Sequence, residues 1–157
     1  TDDGPADAID DDTRDRLATM PWSELMGFEM LDADRGRVTL GITPRHDFHN
    51  QNGTVAAPIA FAVAEATGVA VVVMDFLDRL DRTYTVVKEA DLRFVAAARG
   101  PIRATATIAP TRLDEIRAAV DAGEPVDEPL HVDVLDGTDR VVLAADMVMA
   151  VRPLRTD

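Results

Sequence analysis

The sequence has 157 residues, enough for one domain with a buried core, and 46% of them are apolar, as in ordinary globular proteins. Its 29 acidic and 16 basic residues give a formal net charge of -13. Nucleic-acid binding requires clustered Lys and Arg against phosphate, so this composition argues against it. Lys88 is the single lysine, and an acidic surface almost without lysine is typical of a halophilic protein in a salty cytoplasm.

The chain contains no cysteine, which excludes disulfides, zinc–thiolate sites and thiol nucleophiles. His46, His49 and His131 are too scattered for a metal-binding motif, so we expect no metal site. Residues 1–12 lack the basic and apolar regions of a secretion signal. We interpret them as an acidic, disordered tail before a single domain over residues 13–157, and we expect the protein in the cytoplasm.

In chain order, Asp12 suits the N-cap of a short helix that runs through Met20 and ends at Pro21. Residues 21–34 show a loose helical pattern followed by turn residues, and residues 44–53 are predicted to form a loop. A second short amphipathic helix is predicted over 111–122. Five segments alternate as β-strands do: 37–42, 83–95, 102–109, 130–135 and 140–151.

The dominant segment is a predicted helix over residues 54–80. Between Val55 and Met74 only Glu65 and Thr67 are polar, so the helix is apolar nearly all round. A membrane span and a core helix both fit this pattern. The mid-span glutamate, acidic flanks without a positive cluster, and missing aromatic belt favour the core helix over the membrane span.

One segregated helix followed by a run of strands predicts an α+β domain with a mostly antiparallel, five-stranded sheet that curves around the helix. One such sheet cannot cover every face of a helix that is apolar all round. We therefore expect a second copy of the chain to complete the burial, as a homodimer or as a tetramer built from two dimers.

Glu65 is the most informative residue for function. A carboxylate in the middle of a buried helix costs several kcal/mol unless it is paired or neutralised, and such positions usually carry a purpose. The alternative is a structural glutamate that pairs with Lys88 or reaches solvent at the helix edge. Lys88, in turn, is either a substrate contact or a surface lysine whose stem packs on apolar neighbours.

The start of the helix supplies a second element. Backbone N–H groups near Ala56 and Ala57 can stabilise a developing oxyanion, and the amide of Asn50 lies in the preceding loop. Ala57 and Glu65 are eight residues apart, ~12 Å along one helix. A single carbonyl cannot contact both, so if both take part they must come from different subunits.

Residues 49–68 (HNQNGTVAAPIAFAVAEATG) resemble the central motif of the PaaI-like hotdog-fold thioesterases, N-x-x-G-x-x-H-G-G followed by a helix with Asp or Glu. The resemblance is closer to the DUF4442 branch, in which Glu replaces Asp. PWSELMGFEM before the first strand and ADLRFVAAARG around the second extend the resemblance over residues 21–151.

The resemblance implies a role for each matching position. Glu65 falls on the family's catalytic carboxylate, Asn50 on its substrate-orienting Asn, and Ala57 on the glycine whose N–H polarises the thioester carbonyl across the subunit interface. Ala56-Ala57-Pro58 stands where the family often has His-Gly-Gly, so the imidazole is missing. Thr85 is the hydroxyl nearest to the family's second-strand hydroxyl.

The expected function is therefore hydrolysis of an acyl-CoA or related thioester, with coenzyme A as part of the substrate and no separate cofactor. Lys88, Arg93, Arg99 and Arg45 are candidates for contacts to the pantetheine phosphates. The alternatives are a non-catalytic acyl- or CoA-binding protein, and a dehydratase or hydratase that would use Asp47 and His49.

Overall fold

The computed structural model describes residues 11, 12, 15 and 20–154. The predicted acidic tail and the helix predicted from Asp12 to Met20 therefore fall largely outside the described residues. The helices are α1 (Pro21–Met26), α2 (Ala57–Val73) and α3 (Pro110–Asp121), with 3₁₀ turns at His46–Phe48 and Met74–Arg79. The strands are β1 (Glu29–Asp34), β2 (Arg37–Ile42), β3 (Thr83–Phe94), β4 (Ile102–Thr107), β5 (Val126–Asp136) and β6 (Val141–Pro153).

The described strands form one sheet in the order β1-β2-β4-β5-β6-β3, and every neighbouring pair is antiparallel. Helix α2 packs against five of these strands, β2 to β6. The predicted α+β architecture, with an antiparallel sheet around a central helix, is confirmed. β1 and β3 are the two edges of the sheet.

The predicted number of five strands is wrong, because residues 21–34 contain both a helix and a strand. Helix α1 ends at Gly27, whose φ of 71° suits a left-handed C-cap, and β1 follows two residues later. β1 escaped prediction because Met30 and Leu31 are adjacent apolar residues without alternation. On this edge strand Leu31 is 52% exposed and Ala33 is 2% exposed, and a bulge between Met30 and Asp32 interrupts the register.

The strand β5 is longer than predicted, and Pro129 within it explains the short prediction. A proline is unexpected inside a sheet because it lacks an N–H. β4 pairs only with the far end of β5, at Val134, Leu135 and Asp136, so Pro129 lies where β5 has β6 as its one partner. The missing donor therefore breaks no ladder between β4 and β5.

The predicted central helix divides into α2 and the 3₁₀ turn that follows it. Its buried face includes Val63, Ala64, Val71 and Val72, all at most 1% exposed. Gly68 lets the helix approach the sheet, because a Cβ there would lie 2.3 Å from the end of the Met149 side chain. The helix is thus a core helix on its sheet-facing side.

By length and composition alone, the helical stretch Ala57–Arg79 could cross a membrane, and it is the one such stretch among the described residues. This is weak evidence of a span, because the core helix of a soluble protein meets the same criterion.

An ion network ties the end of this helical stretch to its surroundings. Asp75 accepts a hydrogen bond from Arg35 Nε at 2.7 Å, and Arg35 also reaches Asp114 of α3 at 2.6 Å. Arg117 of α3 lies 3.7 Å from the second oxygen of Asp75 and pairs with Asp78 at 3.0 Å. The network joins the β1–β2 turn, the 3₁₀ turn and α3.

Candidate functional site

The start of α2 presents a single free amide. Ala56 donates its N–H to Phe48 O at 2.9 Å, Pro58 has no N–H, and Ile59 donates to Ala56 O at 2.9 Å. Among the described residues, the N–H of Ala57 has no partner, as expected at the first position of a helix. Of the two amides named from the sequence, Ala57 is therefore available and Ala56 is not.

The loop before α2 is closed by Asn50. Its side-chain oxygen accepts hydrogen bonds from Asn52 N at 2.9 Å and Thr54 N at 3.2 Å, and its amide nitrogen donates to Thr54 Oγ1 at 2.9 Å. Gly53 completes the turn with a φ of 70°. Asn50 thus shapes the loop, and one of its two amide hydrogens is already used there.

A cavity of about 360 Å³, called here the helix-start cavity, lies beside Ala57. The loop after β3 and a short part of β6 form its other wall. Its lining residues are Asn50, Asn52, Thr54, Val55, Ala57, Ala60, Phe94, Val95, Ala96, Ala97, Ala98 and Val142. The free amide and the loop asparagine therefore share one hollow.

Glu65 lies in a separate cavity, also of about 360 Å³, called here the helix-middle cavity. Its walls come from α1, β1, β2, the outward side of α2 and the beginning of β3. The lining is Met20, Trp22, Ser23, Phe28, Met30, Leu40, Glu65, Ala66, Val69, Ala70, Val73, Leu80, Thr83, Tyr84 and Thr85. Glu65 is the one ionisable carboxylate in this largely apolar lining.

The electrostatics of Glu65 follow from these surroundings. The side chain is partly buried and has no hydrogen-bond or ion-pair partner among the described residues. Desolvation raises the pKa of its carboxyl above the ordinary value of 4.5. The neutral form is thereby favoured more than in water, and the ionised form is a stronger base than an exposed glutamate.

Lys88 does not pair with Glu65, so that structural interpretation of the glutamate is wrong. Lys88 Nζ lies 2.6 Å from Asp127 on β5, and this contact raises the pKa of the lysine. Arg93 likewise pairs with Asp146 at 2.9 Å. Neither basic residue lines either cavity, whereas Thr85 shares the helix-middle cavity with Glu65.

The Asp47–His49 pair that a dehydratase would use is not assembled. His49 Nδ1 lies 2.9 Å from the carbonyl of Arg45, and Asp47 pairs with the Arg45 guanidinium at 3.2 Å. The two candidate side chains thus use other partners, and neither lines a described cavity.

A third hollow, of about 460 Å³, lies on β3, β5 and β6. His131 there contacts Asp146 at 2.6 Å and Asp133 at 3.0 Å, and Asp146 raises the pKa of the imidazole. These polar groups satisfy one another, so this hollow offers no free reactive group. Among the described residues, no group of three or more His, Asp or Glu could hold a metal ion.

Sequence reasoning missed Trp22 of α1 and Phe28, the residue after the Gly27 cap of α1, which both line the helix-middle cavity. Their rings make an edge-to-face contact with centroids 6.2 Å apart. The sequence does contain a sign of this wall, since aromatic residues stand on both sides of Gly27, where α1 ends. Their placement beside Glu65 depends on a tertiary contact that no local pattern encodes.

The model of the family described as "Domain of unknown function (DUF4442)" matches residues 16–151. The chain belongs to the DUF4442 family. No curated protein matches it. The resemblance to the DUF4442 family inferred from residues 49–68 is thus confirmed.

Solved structures extend the comparison to the whole domain. PA5026 from Pseudomonas aeruginosa, a protein of unknown function described as a probable thioesterase, superposes with a TM-score of 0.78 at 23% identity over 96% of this chain and 100% of its own. The thioesterase HI1161 from Haemophilus influenzae gives 0.69 at 12% identity over 95% and 94%. At these identities the likeness shows the shared hotdog fold.

Proposed function

We propose that this DUF4442 protein is a homodimeric hydrolase of acyl-CoA-type thioesters. One observation carries the proposal: Glu65, a carboxylate with a raised pKa and no partner among the described residues, stands in an apolar cavity large enough for an organic group. Two further supports are the single free amide at Ala57 and the structural likeness to proteins named as thioesterases.

The two chemical groups belong to two different cavities of one chain, which is why the proposal requires a dimer. Ala57 and Glu65 are separated by ~12 Å along α2. A thioester carbonyl in contact with the Ala57 amide of one copy needs the glutamate of another. A second copy would have to bring its helix-middle cavity against the helix-start cavity of the first.

Edge strand β3 offers the surface for such pairing. Its first residues, Tyr84 and Thr85, line the helix-middle cavity, and Phe94 with the adjacent Val95 lines the helix-start cavity. Two β3 strands paired antiparallel about a two-fold axis would bring Tyr84 of one copy near Val95 of the other. In that register the helix-middle cavity of each copy would lie against the helix-start cavity of the other copy.

The exposure of β3 supports this interface. Tyr84, Val86, Phe94 and Val95 are 46–61% exposed in the single chain, although all are large apolar or aromatic residues. An open, apolar edge strand is a liability unless another chain covers it. Pairing would also cover more of the outward side of α2, which the sheet of one copy leaves open.

The reaction is thioester hydrolysis, in which water is consumed and a carboxylic acid and a thiol are released. The Ala57 N–H would stabilise the oxyanion that forms on the carbonyl. Glu65 of the opposite copy would either take a proton from the attacking water, or attack the carbonyl itself to give an anhydride that water then hydrolyses. The thiolate leaves and takes up a proton.

The apolar helix-middle cavity would hold the acyl group. Its volume of about 360 Å³ is near the lower limit of organic-ligand pockets, which favours acyl groups of short to medium length over long chains. Trp22 and Phe28 would close one side of this pocket.

A mixed-dimer experiment tests the shared site. Glu65→Gln removes the carboxylate, and Ala57→Pro removes the amide at a helix position that tolerates proline. We expect each variant alone to lose at least about 100-fold in kcat for octanoyl-CoA hydrolysis, followed with a free-thiol reagent. Co-refolded variants should regain about one quarter of wild-type activity, because about half the dimers contain one intact site.

Wild-type turnover in Glu65→Gln would end the hydrolase proposal. Two inactive variants that form mixed dimers but never complement each other would contradict a site shared between Ala57 and Glu65 of different copies. Circular dichroism of each variant checks that the fold is retained.

The second candidate is a protein that binds acyl thioesters without hydrolysing them. The use of the Asn50 side chain within its own loop favours this alternative, because a group that orients substrate should be free to bind it. A thermal shift with octanoyl-CoA in the absence of thiol release would support the binding protein over the hydrolase.

A further inference from the structure

Arg99 differs from every other basic residue that the structure describes. Each of the other arginines, and Lys88, lies within 3.9 Å of a carboxylate oxygen. Arg99 has neither an ion pair nor a hydrogen bond to its side chain among the described residues, and it is exposed. In a chain with a net charge of -13, an uncompensated cation is unusual.

The backbone around Arg99 is held in place beside the helix-start cavity. Ala98 O accepts the N–H of Val55 at 2.9 Å, and Ala97 O accepts a hydrogen bond from Arg140 Nη2 at 2.8 Å. Ala97 and Ala98 both line the cavity that contains the Ala57 amide. Arg99, the next residue, therefore extends from a fixed loop at the margin of this cavity.

The negative net charge of the protein makes a free cation at Arg99 important for binding a negatively charged ligand. A thioester of coenzyme A carries several phosphate charges, and a strongly acidic surface repels it over about a Debye length. A free guanidinium offers planar, charged hydrogen-bond donors that suit phosphate oxygens. Most of the other described arginines already direct at least one of these donors to Asp or Glu.

We infer that Arg99 binds a phosphate group of the thioester's pantetheine carrier and so selects phosphorylated thioesters. The inference takes its ligand class from the proposed function. It assigns no chemical step to Arg99, whose role is recognition. Arg45 and Arg93, the other arginines considered for this role, are engaged by Asp47 and Asp146.

Three thioesters that share one acyl group test the inference: octanoyl-pantetheine, octanoyl-phosphopantetheine and octanoyl-CoA. The first has no phosphate, the second has one, and the third adds the nucleotide. Arg99→Ala should raise KM for octanoyl-CoA about tenfold and leave KM for octanoyl-pantetheine unchanged. The result with octanoyl-phosphopantetheine identifies which phosphate Arg99 contacts.

Arg37→Ala is the matched control, because it removes an exposed arginine from the β1–β2 hairpin that lines neither cavity. Arg99→Lys keeps the charge without the planar donors and should recover part of the loss. Added salt should narrow the gap between Arg99→Ala and wild type. An Arg99→Ala protein that matches Arg37→Ala on every phosphorylated thioester overturns the inference.

Calorimetric titration with coenzyme A itself separates this inference from the hydrolase proposal, since it requires no turnover. About tenfold weaker binding to Arg99→Ala than to Arg37→Ala supports the inference even when no thioester is hydrolysed. Equal binding to both variants overturns it, whatever the hydrolysis assays give.

Discussion

Two carboxylates on one helical stretch, Asp75 and Glu65, have opposite surroundings. Asp75 has a side chain that is 8% exposed and accepts a hydrogen bond from Arg35, with Arg117 close to its other oxygen. Glu65 is partly buried among apolar groups and has no charged or hydrogen-bonding partner among the described residues.

The difference in surroundings indicates a structural role for Asp75 and a functional role for Glu65. A buried charge that is paired and hydrogen-bonded holds elements together, and removing one partner is costly. A buried charge without a partner destabilises the fold, and natural sequences keep such groups mainly where they are used. The same chemical change, carboxylate to amide, should therefore have opposite effects on stability at the two positions.

The largest effect on stability is expected for Asp75→Asn. The amide leaves Arg35 and Arg117 without the central charge of their network, so we expect a loss of about 2–3 kcal/mol in the free energy of unfolding. Urea denaturation at neutral pH measures it, with the m-value unchanged. A loss no larger than that of Arg37→Ala would mean that the network contributes little.

Glu65→Gln should act in the other direction. The amide removes the cost of burying an ionised carboxylate, and we expect a gain of roughly 1 kcal/mol at neutral pH, seen as a Tm about 2–4 °C higher. Together with the loss of turnover, this would show that the glutamate is kept for chemistry at the expense of stability. Destabilisation as large as that of Asp75→Asn would instead indicate a hidden structural partner.

The stability gain of Glu65→Gln should depend on pH with a defined sign. Burial raises the pKa of Glu65 in the folded state above 4.5, its ordinary value, so the folded protein holds this proton to higher pH than the unfolded chain does. Wild-type stability relative to the variant should therefore fall as pH rises from 4.5 through the raised pKa, and then level off.

Paired urea titrations of wild type and Glu65→Gln across this pH range give the difference directly. The same ionisation predicts that kcat/KM rises with pH through the raised pKa, because the base and nucleophile roles both need the carboxylate. A pH-independent stability difference would show that the side chain is more solvated than its cavity implies.

The sequence was sufficient for the parts of the fold that rest on periodicity. Burial alternates along β4, where one face is buried, and the apolar run of α2 has no exposed residue between Ile59 and Val73. β2 and β6 are buried or half-buried nearly throughout, and β3 is largely exposed in the single chain, so their alternation does not reflect one buried face within this chain. β1 could not be found in this way, because Met30 and Leu31 are adjacent apolar residues and a bulge between Met30 and Asp32 interrupts the strand.

Only those residues of the candidate site that break a local sequence pattern could be predicted. Glu65 stands out because a charge interrupts an apolar helix, and Ala57 because a helix start must leave amides free. Trp22, Phe28 and the free state of Arg99 were not predictable in the same sense. They depend on which distant segments meet and on which carboxylates the other arginines reach, which no local pattern states.

Of all these variants, Lys88→Ala should have the smallest effect on stability and on KM. Lys88 pairs with Asp127 at the surface, Arg152 also binds that carboxylate, and such exposed pairs contribute little. We expect a Tm change below about 1 °C and an unchanged KM for octanoyl-CoA, measured beside Arg99→Ala. Both variants remove one positive charge. A rise in KM for Arg99→Ala alone would therefore show that the Arg99 side chain itself recognises octanoyl-CoA. Equal rises in both variants would show that only the net charge of the protein matters.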